Sequence, residues 1–229
     1  MKNKMNNIIK IKRHSFRKMK KFLILIILLV TYIKLFLPYD NYNGIDISHH
    51  NEINWKDIAE DPNIEFCYIK ASEGSNMKDS KCEEYAKAAN QINLHIGLYH
   101  YFRTNKSANE QFANFRDVYN SVFSDLIPAI DVEDDGNIFD EQTNKTLKEL
   151  INLFKEEYGV YPIVYYGSWN SAKTFPVTYK CKKWIRCLEY SNYLPNIITM
   201  KQTDVRNIGK NHVDLNYCSD IEELLFVNK

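Results

Sequence analysis

The sequence predicts an α/β fold: a flattened, incomplete (β/α)8-type barrel with fewer than eight helices, spanning residues 44–229. Three observations predict it. Eight short strand-like runs recur along the body, helical patterns separate the earlier ones, and polar residues collect where the runs end.

The runs are "YNGIDIS" (42–48), "EFCYIKAS" (65–72), "HIGLYHYF" (95–102), "LIPAIDVE" (126–133), "YPIVYYGS" (161–168), "KKWIRCLEY" (182–190), "NIITMKQTD" (196–204) and "HVDLNYCS" (212–219). Apolar runs of this length bounded by turn residues read as buried strands. Three helical patterns lie between them. The first places Tyr85, Ala88, Ala89 and Ile92 on one face, and the second Phe112, Phe115, Val118, Tyr119 and Val122. The third repeats Leu147, Leu150, Ile151 and Phe154 and stops at Gly159, a usual helix terminator. Short buried strands alternating with helices predict a parallel sheet, and eight of them predict closure. The body is shorter than the ~250 residues typical of the full fold. Its last connections are too short for whole helices, so the later half should be nearly all β.

The chain ahead of the body reads differently. Residues 1–38 hold 10 of the 30 Lys and Arg and no Asp or Glu, whereas the remainder sets 20 basic against 29 acidic residues. An acidic body is poorly suited to neutralising phosphates, so no nucleic-acid partner is expected. Residues 1–21 form a basic head expected to stay cytoplasmic, and 22–37, "FLILIILLVTYIKLFL", an apolar run. No small-residue cleavage site follows, which favours a signal anchor over a cleaved signal peptide or a buried helix. Residues 38–43 are a linker. The body then lies in the periplasm or outside the cell, tethered to the membrane or secreted if the run is removed. Five cysteines would face an oxidising space there. Cys67 sits in an apolar run and should pack as a small hydrophobe; a Cys181–Cys187 pair stays open. Their spacing is not that of a metal site, and none is read from it.

In such a barrel, chemistry sits at the C-terminal strand ends. Asp46 and Ser48 end the first run, Lys70 and Glu73 the second, and Tyr99, Tyr101 and Arg103 follow in the third. Asp131 and Glu133 end the fourth, Tyr166 the fifth and Gln202 the seventh, while the eighth carries Asp214 and Asn216. Residues two apart share a strand face, so Asp131 and Glu133 point the same way. First and last strands become neighbours on closure, bringing Asp46 to Asp214. Carboxylates crowded in one concave site cannot all ionise easily, so at least one pKa should rise. A protonated carboxylic acid beside ionised ones is what cleavage of a glycosidic bond requires. A single Asp at a strand end is often only a turn residue; several strands ending in acids are not explained that way. The doublet His49-His50 would point apart at a strand end and reads as hydrogen-bonding or surface histidine rather than a ligand pair.

These residues resemble family 25 of the glycoside hydrolases, the Chalaropsis-type lysozymes. "GIDISHHN", "INW", "YIKASEG", "GLYHYF", "AIDVED", "YPIVYYG" and "HVDLNYC" match in the family's order from Gly44 to Cys218. The resemblance implies a muramidase cleaving the β-1,4 bond between N-acetylmuramic acid and N-acetylglucosamine. Carried over by position, Glu133 is the general acid, and Asp131, Asp46 and Asp214 are supporting carboxylates. Glu73, Tyr99, Tyr166 and Gln202 would line the sugar site. No cofactor or metal is implied. The expected partners are peptidoglycan strands and the membrane, with the chain a monomer. The sequence departs from the family at Asn63, Met77, "RCLEY" and the "KQT" of the seventh run, where Lys201 and Thr203 replace aromatics. Two rivals are a catalytically silent glycan-binding barrel and a metal-dependent hydrolase using Asp46, His49 and Asp131.

Overall fold

The computed structural model describes residues 42–133, 140–174, 176–187 and 198–226. The basic head, the apolar run and most of the linker lie outside the described residues, as do 188–190 and 196–197 of the sixth and seventh runs.

All eight runs form strands: β1 (Gly44–Ile47), β2 (Phe66–Glu73), β4 (His95–Tyr101), β5 (Ala129–Val132), β6 (Ile163–Tyr166), β7 (Lys183–Arg186), β8 (Ile198–Ile208) and β9 (Asn211–Cys218). A two-residue strand, β3 (Met77–Lys78), folds back antiparallel on the end of β2. Neighbours follow the order β1-β9-β8-β7-β6-β5-β4-β2, and a β1–β2 pairing closes the ring. The fourth run is shorter than expected. Leu126 leaves the sheet to bridge Leu225, and only Ala129–Val132 joins the ladder.

The sheet is not parallel throughout. From β1 through β2 to β8 every neighbouring pair is parallel, but β9 runs antiparallel to both β8 and β1. The cause is local. Ile208 faces Asn211 across a two-residue loop, Gly209-Lys210, and Gly209 has φ +57, a conformation that side chains with a Cβ resist. A tight hairpin reverses the chain, where a parallel strand would have needed a crossover helix.

Five α-helices occur among the described residues: α1 (Trp55–Glu60), α2 (Cys82–Gln91), α3 (Ala108–Tyr119), α4 (Glu141–Tyr158) and α5 (Trp169–Lys173). The three predicted ones are present as α2, α3 and α4. Ser107 and Glu110 form a reciprocal capping box at the start of α3, and Asp140 caps α4 by accepting from the Thr143 N–H. The two helices pack through aromatic side chains. Phe115 stacks on Phe154 with centroids 4.8 Å apart, and Phe112 meets Phe154 edge-on at 5.4 Å. Each such pair contributes about 0.5–1.5 kcal/mol beyond the area it buries. Phe66 and Tyr68 are fully buried on the sheet face that Asp46 shares, inside the ring, and Ile45, Ile69, Ile96 and Leu98 are fully buried on the opposite face. Cys67 is buried as expected. Cys181 is a buried free thiol, so the Cys181–Cys187 pairing does not form.

Candidate active site

One row of the sheet sets the floor of the site. In parallel strands, side chains in register face the same side. Tyr101 pairs with Asp131, Asp131 with Tyr165, and Tyr165 with Trp184. All four line a cleft of about 450 Å³ at the barrel mouth. Glu133, one residue past β5, lines it as well, as the two-residue spacing predicts. Asp46 and Asp214 are direct cross-strand partners in β1 and β9, and both line the cleft. The structure thus brings together the four expected acids, with Glu73, Tyr99 and Gln202 beside them.

Tyr166 is not with them. It pairs with Val132, one residue out of phase with Asp131, so it faces away from the cleft. Its ring is fully buried, and its hydroxyl bonds the Thr178 hydroxyl at 2.9 Å. Tyr165 takes the expected place. In the doublet Tyr165-Tyr166 only the strand register decides which ring faces inward, and a one-residue shift exchanges them.

Asp46 is held by a relay of polar side chains from four strands. Gln202 Nε2 and Asn216 Nδ2 donate to Asp46 Oδ2 at 3.0 and 2.7 Å. The Tyr165 hydroxyl donates to Gln202 Oε1 at 2.9 Å, and Trp184 Nε1 to Asn216 Oδ1 at 2.8 Å. Burial pushes the Asp46 carboxyl up to about 7, and the neighbouring Asp214 adds to the rise; the two amide donors oppose it. Asp131 is nearly buried, and its Oδ1 has no hydrogen-bond partner among the described residues. Burial first, then the charges of Glu133 and Asp46, hold its pKa well above the ordinary value. Burial raises Asp214 too, against the pull of Arg186 and His212. The crowding inferred from the sequence therefore has a physical counterpart in three of the four acids.

Glu73 behaves oppositely. Burial would raise its pKa, but hydrogen bonds and charge from Lys70 and Arg103 outweigh that and lower it. Lys70 Nζ lies 2.6 Å from Glu73 Oε2, and Arg103 Nη2 2.6 Å from Oε1. Such a carboxylate stays charged and fixed, which suits positioning rather than proton donation.

Trp184, Tyr165 and Arg186 also line the cleft, though sequence reasoning did not place them there. Register from Asp131 would have found the first two; Arg186 stands two residues beyond Trp184 on the same face. His49 binds Asp79 through Nδ1 at 2.7 Å, and it is His50 that borders the cleft. The trio Asp46, His49 and Asp131 is therefore not assembled. No group of three or more His, Cys, Asp or Glu among the described residues is arranged to hold a metal ion. Lys201 and Thr203 flank Gln202, which does line the cleft; neither of them does. The Thr203 hydroxyl instead bonds the Leu215 carbonyl.

This cleft and barrel have counterparts among known proteins. The uncharacterized protein YegX of Escherichia coli K12 is 28% identical over 131 residues, which are 55% of this chain and 48% of that protein. Lysozyme M1 of Streptomyces globisporus is 36% identical over 73 residues, 31% of this chain and 24% of that protein. The chain thus spans about half or less of the length of the curated relatives it matches. A family 25 glycosyl hydrolase structure from Bacillus anthracis superposes with a TM-score of 0.67 at 25% identity, covering 82% of this chain and 94% of that one. The sequence profile of the family described as "Glycosyl hydrolases family 25" matches residues 45–203, a span that holds Asp46, Asp131, Glu133 and the relay through Gln202. The chain belongs to family 25 of the glycosyl hydrolases.

Proposed function

We propose that this protein is a muramidase, hydrolysing the β-1,4 bond between N-acetylmuramic acid and N-acetylglucosamine in peptidoglycan. The observation that carries this reading is the set of four carboxyls around one cleft, three of them with raised pKa values. Glu133 protonates the leaving glycosidic oxygen. Asp131 faces the anomeric centre from the same strand face. Its unpartnered Oδ1 is free to accept the N–H of the substrate's 2-acetamido group, which orients that group to attack the anomeric carbon with retention. Developing positive charge on the sugar then favours the ionised form of Asp131. Asp46 and Asp214 set the potential behind this pair. Glu73, Tyr99 and Gln202 shape the sugar site, with Tyr165 and Trp184 offering aromatic faces. The route uses no cofactor, and activity should survive EDTA.

A silent glycan-binding barrel was suggested by the altered seventh run. Lys201 and Thr203 lie off the cleft, which removes its main support. The test is to incubate the full-length chain with purified peptidoglycan and identify new reducing ends by mass spectrometry. Glu133→Gln keeps size and hydrogen bonding but has no proton to transfer. Turnover should fall by roughly 10²–10⁴-fold while glycan binding persists. Near wild-type turnover would remove Glu133 from the role and make Asp46 or Asp214 the next candidate.

The site of action we propose is the outer face of a membrane, with residues 22–37 as an uncleaved anchor and the barrel a monomer in the periplasm or outside the cell. The basic head and the apolar run support this. Membrane fractionation should pellet the full-length chain with its N-terminus intact. A mature N-terminus mapped near residue 39 would show instead that the protein is secreted after cleavage.

A further inference from the structure

Opposite sides of the barrel mouth carry differently committed cations. On the side of β2 and β4, Lys70 and Arg103 both bind Glu73 and both lie against the Tyr101 ring. Halfway round the ring, Arg186 stands at the C-terminal end of β7. Its side chain is exposed and lines the same cleft. No described residue accepts a hydrogen bond from it or pairs with its charge. Asp214 feels Arg186 only through its charge. Arg186 also opens "RCLEY", a stretch that departs from the family pattern.

A guanidinium with no partner among the described residues has a specific consequence in this cleft. The lining sets five carboxyls, Asp46, Glu73, Asp131, Glu133 and Asp214, against Lys70, Arg103 and Arg186, and those carboxyls that are ionised repel an anionic ligand. A ligand bearing a carboxylate needs a local cation with free donors. Lys70 and Arg103 are spent on Glu73. Arg186 presents a planar fork of N–H donors that matches a carboxylate in two parallel hydrogen bonds.

We propose that Arg186 sets substrate preference by pairing with a free carboxylate carried by the bound glycan. This rests on the glycan-hydrolase reading of the cleft and adds to it a preference for charged over neutral strands. Peptidoglycan offers two sources of the group. One is the lactyl carboxylate of muramic residues whose peptide has been removed; the other is the carboxylates of an attached peptide stem.

The experiment measures binding by calorimetry, and kcat and KM by reducing-end release, for the full-length wild type, Arg186→Ala and Arg186→Lys. Three ligands separate the sources: strands stripped of peptide, the same strands with their carboxylates amidated, and intact strands with stems. Wild type should bind carboxylate-bearing strands better than amidated ones. Arg186→Ala should weaken binding to the preferred strands by about 10–100-fold, the range for a lost hydrogen-bonded charge partner, and leave amidated strands unchanged. Arg186→Lys should recover part of the loss. A loss on stripped strands assigns the lactyl carboxylate, and a loss confined to intact strands assigns the stem. An equal effect on all three ligands, with or without a shifted pH profile, would overturn the proposal and make Arg186 a residue that acts through Asp214. Wild type that cuts none of the strands, yet binds the carboxylate-bearing ones through Arg186, would sink the hydrolase reading while this assignment stands.

Discussion

Replacing Asp46 by Asn should make the protein more stable at alkaline pH while impairing its activity. The folded-state carboxyl titrates at about 7, against 3.8 for an unperturbed aspartate. Between those values the folded state binds a proton that the unfolded state has released, so stability falls as pH rises from about 4 to 7. At 1.36 kcal/mol per pH unit the loss is bounded at about 4 kcal/mol. Asp46 keeps some solvent access through the cleft, and an amide oxygen accepts from Gln202 and Asn216 less strongly than a carboxylate does. About 2 kcal/mol is therefore the expected gain of Asp46→Asn at pH 8, shrinking towards zero near pH 4. His100 slopes the other way. It is buried between Ser72 and Gln111, and burial lowers its pKa to about 4, so stability drops as pH falls from 6.5. That contribution is common to both proteins and cancels in the difference. The assay is urea unfolding of wild type and variant at half-unit steps from pH 4 to 9, with the difference in stability plotted against pH. A difference that stays flat with pH, or a variant less stable than wild type at pH 8, would refute the claim that burial and Asp214 strain the Asp46 charge.

Two further perturbations test other parts of the structure. Asp131→Asn should slow turnover and move the upper limb of the pH–rate profile to more acidic pH, because removing one of two coupled carboxyls eases ionisation of the remaining acid; kcat/KM against pH on soluble fragments measures it, and an unmoved limb would separate the two groups. Gly97→Ala would place a Cβ 2.2 Å from the Tyr68 ring, which is fully buried and tied through its hydroxyl to the Ile127 carbonyl. A loss of about 3 kcal/mol, seen as a Tm lower by roughly 6–12 °C, is expected, and an unchanged Tm would mean that the ring is free to move.

Much of this architecture was legible because it depends on local pattern. Phe112, Phe115, Leu147, Leu150 and Phe154 fall at helical spacing, and the helices carrying them formed with the caps their flanking residues suggest. The acids were legible for a similar reason: Asp131 and Glu133 are two apart on one strand, and no distant contact is needed to put them on one face. Tyr166 failed because its orientation depends on phase, and two adjacent tyrosines leave the phase undetermined. Trp184 and Arg186 were missed because it is register with Asp131, through Tyr165, that puts them on the cleft face, and pairing between strands is not written in the residues of one run.

The antiparallel β9 shows what pattern alone does not supply. Asp214 reaches Asp46 because the Gly209-Lys210 turn fixes the pairing of β8 with β9, and a slip of one residue would turn Asp214 and Asn216 outward together. Gln202 needs a second device. Val205 pairs with Asp214, yet Gln202 pairs with Asn216, so three residues of β8 span what two cover on β9. The extra residue is a bulge. Without it Thr203 would stand opposite Asn216, and Gln202 would face away from Asp46. The bulge re-aims Gln202 into the relay with Tyr165 and Asp46, and it leaves Thr203 to bond the Leu215 carbonyl across the same strand pair. The altered residues Lys201 and Thr203 therefore bear on how β8 is held against β9. Gln202, the residue between them, carries the contact with the cleft.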